Sequence, residues 1–181
     1  MSNEPVHVLC MTNQHKGDRL ISALIDEGCE VKLLLDEALR SETWDERVTE
    51  IIYTPDLAKY QDVINTVTWM ARGWRIDLIF PLDEFEVELV SMLREHMRLP
   101  GMGVTQMRRF RDKLTMRDVA KEAGIPIPPY TRILNYDELR AYMAEIEPPW
   151  MLKPRMEAGA MGIRKIYDSE GLWRALDELG D

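Results

Sequence analysis

The first hundred residues alternate between two hydrophobic rhythms. Short β-rich runs, VHVLCMT (6–12), CEVKLLLD (29–36), TEIIYTP (49–55) and RIDLIFPLD (75–83), read as strands, with Pro55 ending the third. Between them lie stretches with apolar residues at helical spacing. In DRLISALIDEG (18–28), Leu20, Ile21, Leu24 and Ile25 share a face and Gly28 supplies the stop. YQDVINTVTWMARGW (60–74) and FEVELVSMLREHM (85–97) are the other two helical stretches. Strands alternating with helices need crossover connections, which are right-handed. The pattern therefore predicts an α/β fold with a parallel sheet covered on both faces.

LPGMGV (99–104) punctuates the chain and a different region follows. TQMRRFRDKLTMRDVAKEAG (105–124) is helical in propensity, but its apolar stripe changes phase. Met107 and Phe110 lie on one face, and Met116, Val119, Ala120 and Ala123 on another. A short helix, a break at Asp112 acting as cap, and a second helix ending at Gly124 account for the shift. The prolines hold IPIPPY (125–130) extended. Asn135 followed by Glu138 is a capping-box pattern opening YDELRAYMAEIE. WMLKPRMEAGAMGIRKI (150–166) reads as strand, tight glycine-bearing hairpin and strand, and SEGLWRALDELG (169–180) as a last helix. There is no internal repeat and no low-complexity tract.

Composition narrows the function classes. At 181 residues there is room for one large domain, or one domain and part of a second. A net charge of -9 argues against a general nucleic-acid binder, which needs a basic face. MSNEPVHV lacks the basic and apolar regions of a secretory leader, and no apolar run approaches the roughly 20 residues that cross a bilayer. A cytoplasmic protein with no membrane partner is expected, with Cys10 and Cys29 as reduced core thiols. Twelve methionines serve most simply as gap-filling core residues. His7, His15 and His96 lack metal-ligand spacing, so no metal site is predicted. The NQHKGD loop lacks G-x-G-x-x-G, which leaves dinucleotide binding unsupported, and no Walker motif, G-x-S-x-G elbow or Cys–His pair is present.

The hairpin carries the most chemistry. Gly159 and Gly162 permit positive φ and let backbone N–H groups approach an oxyanion, although an ordinary turn needs the same glycines. Lys153 and Arg155 are two residues apart and point to one face of an extended chain. Lys113 opens a helix, where an ammonium could join the helix N-terminus in holding phosphate. RRFRDK (108–113) is the one basic cluster, read as a solvated helix face or a brace for acidic neighbours, with nucleotide or subunit contacts as the alternative. PLDEFEVE (81–88) groups Asp83, Glu84, Glu86 and Glu88, which the first turn of a helix favours through its dipole.

Taken in order, D-K before a helix, G-I-P-x-P, a capped helix, L-K-P and A-G-x-M-G-I resemble the ATP-grasp superfamily, in its carbamoyl-phosphate-synthetase-like and biotin-carboxylase-like branch. The resemblance covers nearly the whole chain. It implies a Rossmann-like pre-ATP-grasp domain over 1–98, the start of the first ATP-grasp subdomain over 99–128, and a partial lid subdomain over 129–181. It assigns Lys113 and Lys153 as the two nucleotide lysines. It makes Glu157, Ala158, Gly159, Ala160, Met161 and Gly162 the flap over the phosphates, with Arg155 beside it. It also points to an acidic residue after the fourth strand, best matched by Glu84, on the substrate side.

What the resemblance implies for function is the amino-terminal portion of an ATP-dependent ligase. Such an enzyme activates a small carboxylate as an acyl phosphate and passes it to an amine or another nucleophile. In that family the residues that hold magnesium and the acyl phosphate follow the lid, and this sequence stops at Asp181. ATP is therefore the expected cofactor, with Mg2+ joining only through a carboxyl-terminal half. The chain alone is expected not to catalyse, and a homodimer or a complementing chain is an expected partner. A non-catalytic nucleotide-binding or assembly module, docking through an open sheet edge, is the alternative.

Overall fold

A computed structural model describes residues 4–179. The chain divides into two compact units, the first reaching Met107 and the second beginning at Arg108.

Four parallel strands form the sheet of the first unit: β1 (His7–Thr12), β2 (Glu30–Asp36), β3 (Glu50–Thr54) and β4 (Leu78–Pro81). Their spatial order is β3-β2-β1-β4. The register pairs His7 with Glu30 and Thr12 with Leu35 on one side of β1, and Val8 with Leu78 on the other. Helices α1 (Asp18–Asp26), α2 (Tyr60–Met70) and α3 (Val87–Met97) make the crossovers or follow the last strand.

Side chains alternate across a strand, so each strand feeds two cores. Val8, Cys10, Val31, Leu33 and Leu35 pack with Ile21 of α1 and with Trp44. Leu9, Met11, Leu34 and Ile79 face the other way, onto Val63 and Val67 of α2 and Leu89, Val90 and Leu93 of α3. Burial pushes the Cys10 thiol up to about 12, with Cys29 adding to the shift, so Cys10 is an inert core residue. The predicted parallel sheet, covered on both faces, is the one observed.

Element ends shift by a few residues. The expected strand over 75–83 is ordered as ladder only from Leu78, because Asp77 makes the entry contact by donating its N–H to His7 O at 3.0 Å. The helix expected to reach residue 74 stops at Met70, and the Gly73 and Trp74 amides close a turn on Met70 O.

Helix α4 (Val104–Arg111) spans the division between the units, and α5 (Lys113–Glu122) follows after a break at Asp112. The predicted cap is present: Asp112 accepts from Leu114 N at 3.0 Å and Thr115 N at 3.5 Å. The stripe reading is only partly matched, since Met107 is buried whereas Phe110 and Met116 are exposed. Helix α6 (Tyr136–Glu145) begins at Asn135, which accepts from the amides of Asp137 and Glu138. Strands β5 (Trp150–Leu152) and β6 (Arg164–Ile166) pair antiparallel, Trp150 opposite Ile166. Helix α7 (Ser169–Leu179) closes the unit, and Gly180, the predicted end of that helix, lies outside the described residues. The core of this unit is small: Leu139, Leu152, Ile166, Leu172 and Ala175.

Candidate functional site

The segment joining β5 to β6 is longer than the tight hairpin the sequence predicts. It runs over residues 153–163, and its turn is confined to residues 159–162. Gly159 (φ 63), Ala160 (φ 63) and Gly162 (φ 68) are left-handed, a conformation in which L residues are strained and glycine is not. Gly162 has a second reason: a Cβ there would lie 2.8 Å from the Pro154 ring. The Met161 amide donates to Ala158 O at 3.2 Å, and Ala158 is itself buried. The other amides of an exposed left-handed turn are what an anion-binding concavity uses.

Lys113 is brought to the base of this segment. Its backbone N–H donates to Arg155 O at 3.1 Å, and its ammonium donates to Glu157 O at 2.7 Å and to Arg155 O at 3.5 Å. Lys153 leaves the end of β5 with an exposed side chain, and no hydrogen bond or ion pair holds its ammonium among the described residues. Arg155 has a partner that sequence reading did not foresee. Its Nε donates to Asp112 Oδ1 at 3.1 Å, and its Nη2 pairs with Asp112 Oδ2. The guanidinium holds the Asp112 carboxyl below the usual carboxylate range, aided by the Leu114 and Thr115 amides. Arg111, in the basic cluster, donates to Met156 O at 2.7 Å. These contacts of Arg111 and Lys113 are to backbone carbonyls, not to the acidic neighbours that one reading of RRFRDK expected.

In the first unit, the turns after β1 and β4 meet at the carboxyl edge of the sheet. Here β1 has neighbours reached by crossovers in opposite directions, the place where open α/β sheets present a crevice. Gly17 (φ 93) lies against Leu82, and a Cβ would approach the leucine side chain to 2.8 Å. Asp83 is nearly buried, accepts from Phe85 N at 3.2 Å and pairs with Lys16. Burial raises its pKa, but Lys16 and the backbone donors outweigh that and hold it low. Glu84, the expected substrate-side residue, is exposed on the same turn.

Glu86 is the acid that sequence reading passed over. Only 2% exposed, it accepts the Asn13 N–H at 3.1 Å through one oxygen, while the other is buried with no hydrogen-bond partner. Burial, and after it the charge of Asp83, pushes the carboxyl up to about 7. The signal was present in the sequence. Glu86, the residue just before α3, stands three, four and seven positions ahead of Leu89, Val90 and Leu93 and so is in phase with the helix's buried stripe.

No family model matches the chain. Over 110 residues it is 29% identical to an alanine–anticapsin ligase of Bacillus subtilis (strain 168), a match covering 61% of this chain and 23% of that protein. It is 30% identical over 90 residues to the uncharacterized protein y4rH of Sinorhizobium fredii, covering 50% of this chain and 19% of that one. Among solved structures, the L-amino acid ligase from Bacillus licheniformis superposes with a TM-score of 0.78 at 16% identity, covering 98% of this chain and 42% of that one. The biotin carboxylase domain of the Hydrogenobacter thermophilus 2-oxoglutarate carboxylase, solved with MgADP, gives 0.75 at 20% identity, covering 95% and 40%. In fold the chain resembles part of these solved ligase and carboxylase structures. A Rossmann-like parallel sheet followed by a small α+β unit makes up the chain, which spans less than half the length of these relatives.

Proposed function

We propose that this chain supplies the pre-ATP-grasp domain and part of the nucleotide clamp of an ATP-dependent ligase. The ligase would activate a small carboxylate as an acyl phosphate for attack by an amine or another nucleophile. The observation that carries the reading is the meeting of Lys113 with the stem of the left-handed turn at residues 159–162. An ammonium at the start of α5, a second one at Lys153 and a row of turn amides are donors of the kind a triphosphate requires. In this reading Lys113 and Lys153 hold phosphate oxygens, residues 157–162 cover them, and Glu84 faces the carboxylate substrate. When bound, ATP supplies the phosphoryl group. This chain's residues bind and orient the nucleotide and keep water from it, and the carboxylates that hold Mg2+ belong to the carboxyl-terminal half of such ligases.

Titration calorimetry of the chain with ATP and magnesium tests this. Binding in the micromolar range that Lys153→Ala weakens at least tenfold is the expected result. Undiminished affinity in both Lys153→Ala and Lys113→Ala would overturn it. A second reading, a non-catalytic assembly module, draws on the two-stranded sheet, where β5 and β6 each have one edge without a strand partner among the described residues and Met151 is exposed. Its signature is a dimer that forms with rising concentration, together with no nucleotide binding.

A further inference from the structure

Three consecutive residues hold three others distant in sequence. Arg111 donates to Met156 O, Asp112 receives the Arg155 guanidinium, and Lys113 donates to Arg155 O and Glu157 O. We propose that Asp112 and Arg155 are positioning residues, a clamp that fixes the stem of the glycine turn to the start of α5 and so aims the Lys113 ammonium. Arg155 then acts on a carboxylate of its own chain and not on a phosphate. The clamp stands on geometry alone, and its consequence for a nucleotide rests on the function proposed above.

The charge balance at the two cations separates their roles. Arg155 meets a carboxylate side chain that is 4% exposed, and its planar fork reaches both oxygens. Moving the guanidinium onto another anion would leave that carboxylate buried with only its cap amides, a costly arrangement. Among the described residues the Lys113 ammonium is hydrogen-bonded only to carbonyl oxygens, which orient it without neutralising it. One cation is committed to the fold, and the other is aimed with its charge intact. Asp112 also has more partners than a cap requires. Asparagine would cap α5 equally well through Leu114 and Thr115 but could not form the ion pair.

That difference supplies the test. The Lys113 amide donates to Arg155 O, so its hydrogen exchange in the full chain reports stem docking. Arg155→Ala and Asp112→Asn should each speed that exchange about tenfold, with Arg155→Lys intermediate. The Leu139 amide, bonded to Asn135 O within the same unit, should keep its wild-type rate. In Arg155→Ala the Asp112 carboxyl, followed by carbon NMR, should titrate closer to an ordinary aspartate, which loss of packing alone would not produce. Should Arg155→Ala fail to fold, Asp112→Asn carries the test, since it preserves shape and cap. Wild-type exchange at Lys113 in Asp112→Asn would overturn the clamp. With MgATP as probe, Arg155→Ala should weaken binding about tenfold and Arg155→Lys restore part of it. MgATP affinity unchanged by Lys113→Ala and Lys153→Ala would sink the nucleotide reading, with the exchange result still deciding the clamp.

Discussion

In the first unit β1 sends Val8 and Cys10 to one core and Leu9 and Met11 to another, all four fully buried. In the second unit β5 contributes Leu152 to a single core and leaves Met151 half exposed. The first sheet is fixed by apolar burial on both faces, at roughly 1.5–3 kcal/mol for each large side chain. The second unit buries few such residues and places its glycine segment with an ion pair, a helix cap and backbone hydrogen bonds. A scaffold that must not move is built from grease. The glycine segment is instead held by polar contacts, each worth about 1 kcal/mol.

The largest effect that would sharpen this contrast is expected in the first unit. Leu34 is fully buried between β1 and β3, so Leu34→Ala should cost about 2–5 kcal/mol in chemical denaturation. If the units unfold separately, only the transition of the first should move. Equal loss in both transitions would break the comparison.

A smaller effect is tied to pH. The folded-state pKa of Glu86, about 7, lies above its ordinary value of 4.5. The folded state therefore prefers the protonated form. There is little penalty below about pH 4.5, it grows as pH rises, and it is complete above about pH 7, on the order of 3 kcal/mol. Glu86→Gln should abolish that slope between pH 5 and 7 in denaturation of the first unit, leaving a flatter profile. A wild-type slope in the variant would place the titration elsewhere. The smallest expected change belongs to Asn135→Ala, which removes the α6 cap and should cost about 1 kcal/mol in the second unit alone.

Much of the fold was legible because it rests on periodicity. The runs VHVLCMT and CEVKLLLD read as strands of a sheet covered on both faces, and that is where they lie. The caps at Asp112 and Asn135 were legible because capping is a local interaction over three residues. The Asp112–Arg155 pair was not, since the two residues are 43 apart and nothing local marks a long-range partner. Phe110 shows a second limit: apolar identity and helical spacing place a residue on a stripe, but tertiary structure decides whether anything covers it, and Phe110 is 64% exposed. Glu86 was hidden by its company. Among four acids on one turn, its helical phase relative to Leu89 and Val90 singled it out.

Ala160 sets a local cost on the shape of the glycine turn. It is the only residue of that turn that is left-handed without being glycine, which costs an L residue about 1–2 kcal/mol. Its methyl group makes the opposite backbone hand the lower-energy state for that one residue. Glycine at position 160 would remove that cost and leave the shape of the turn unchanged.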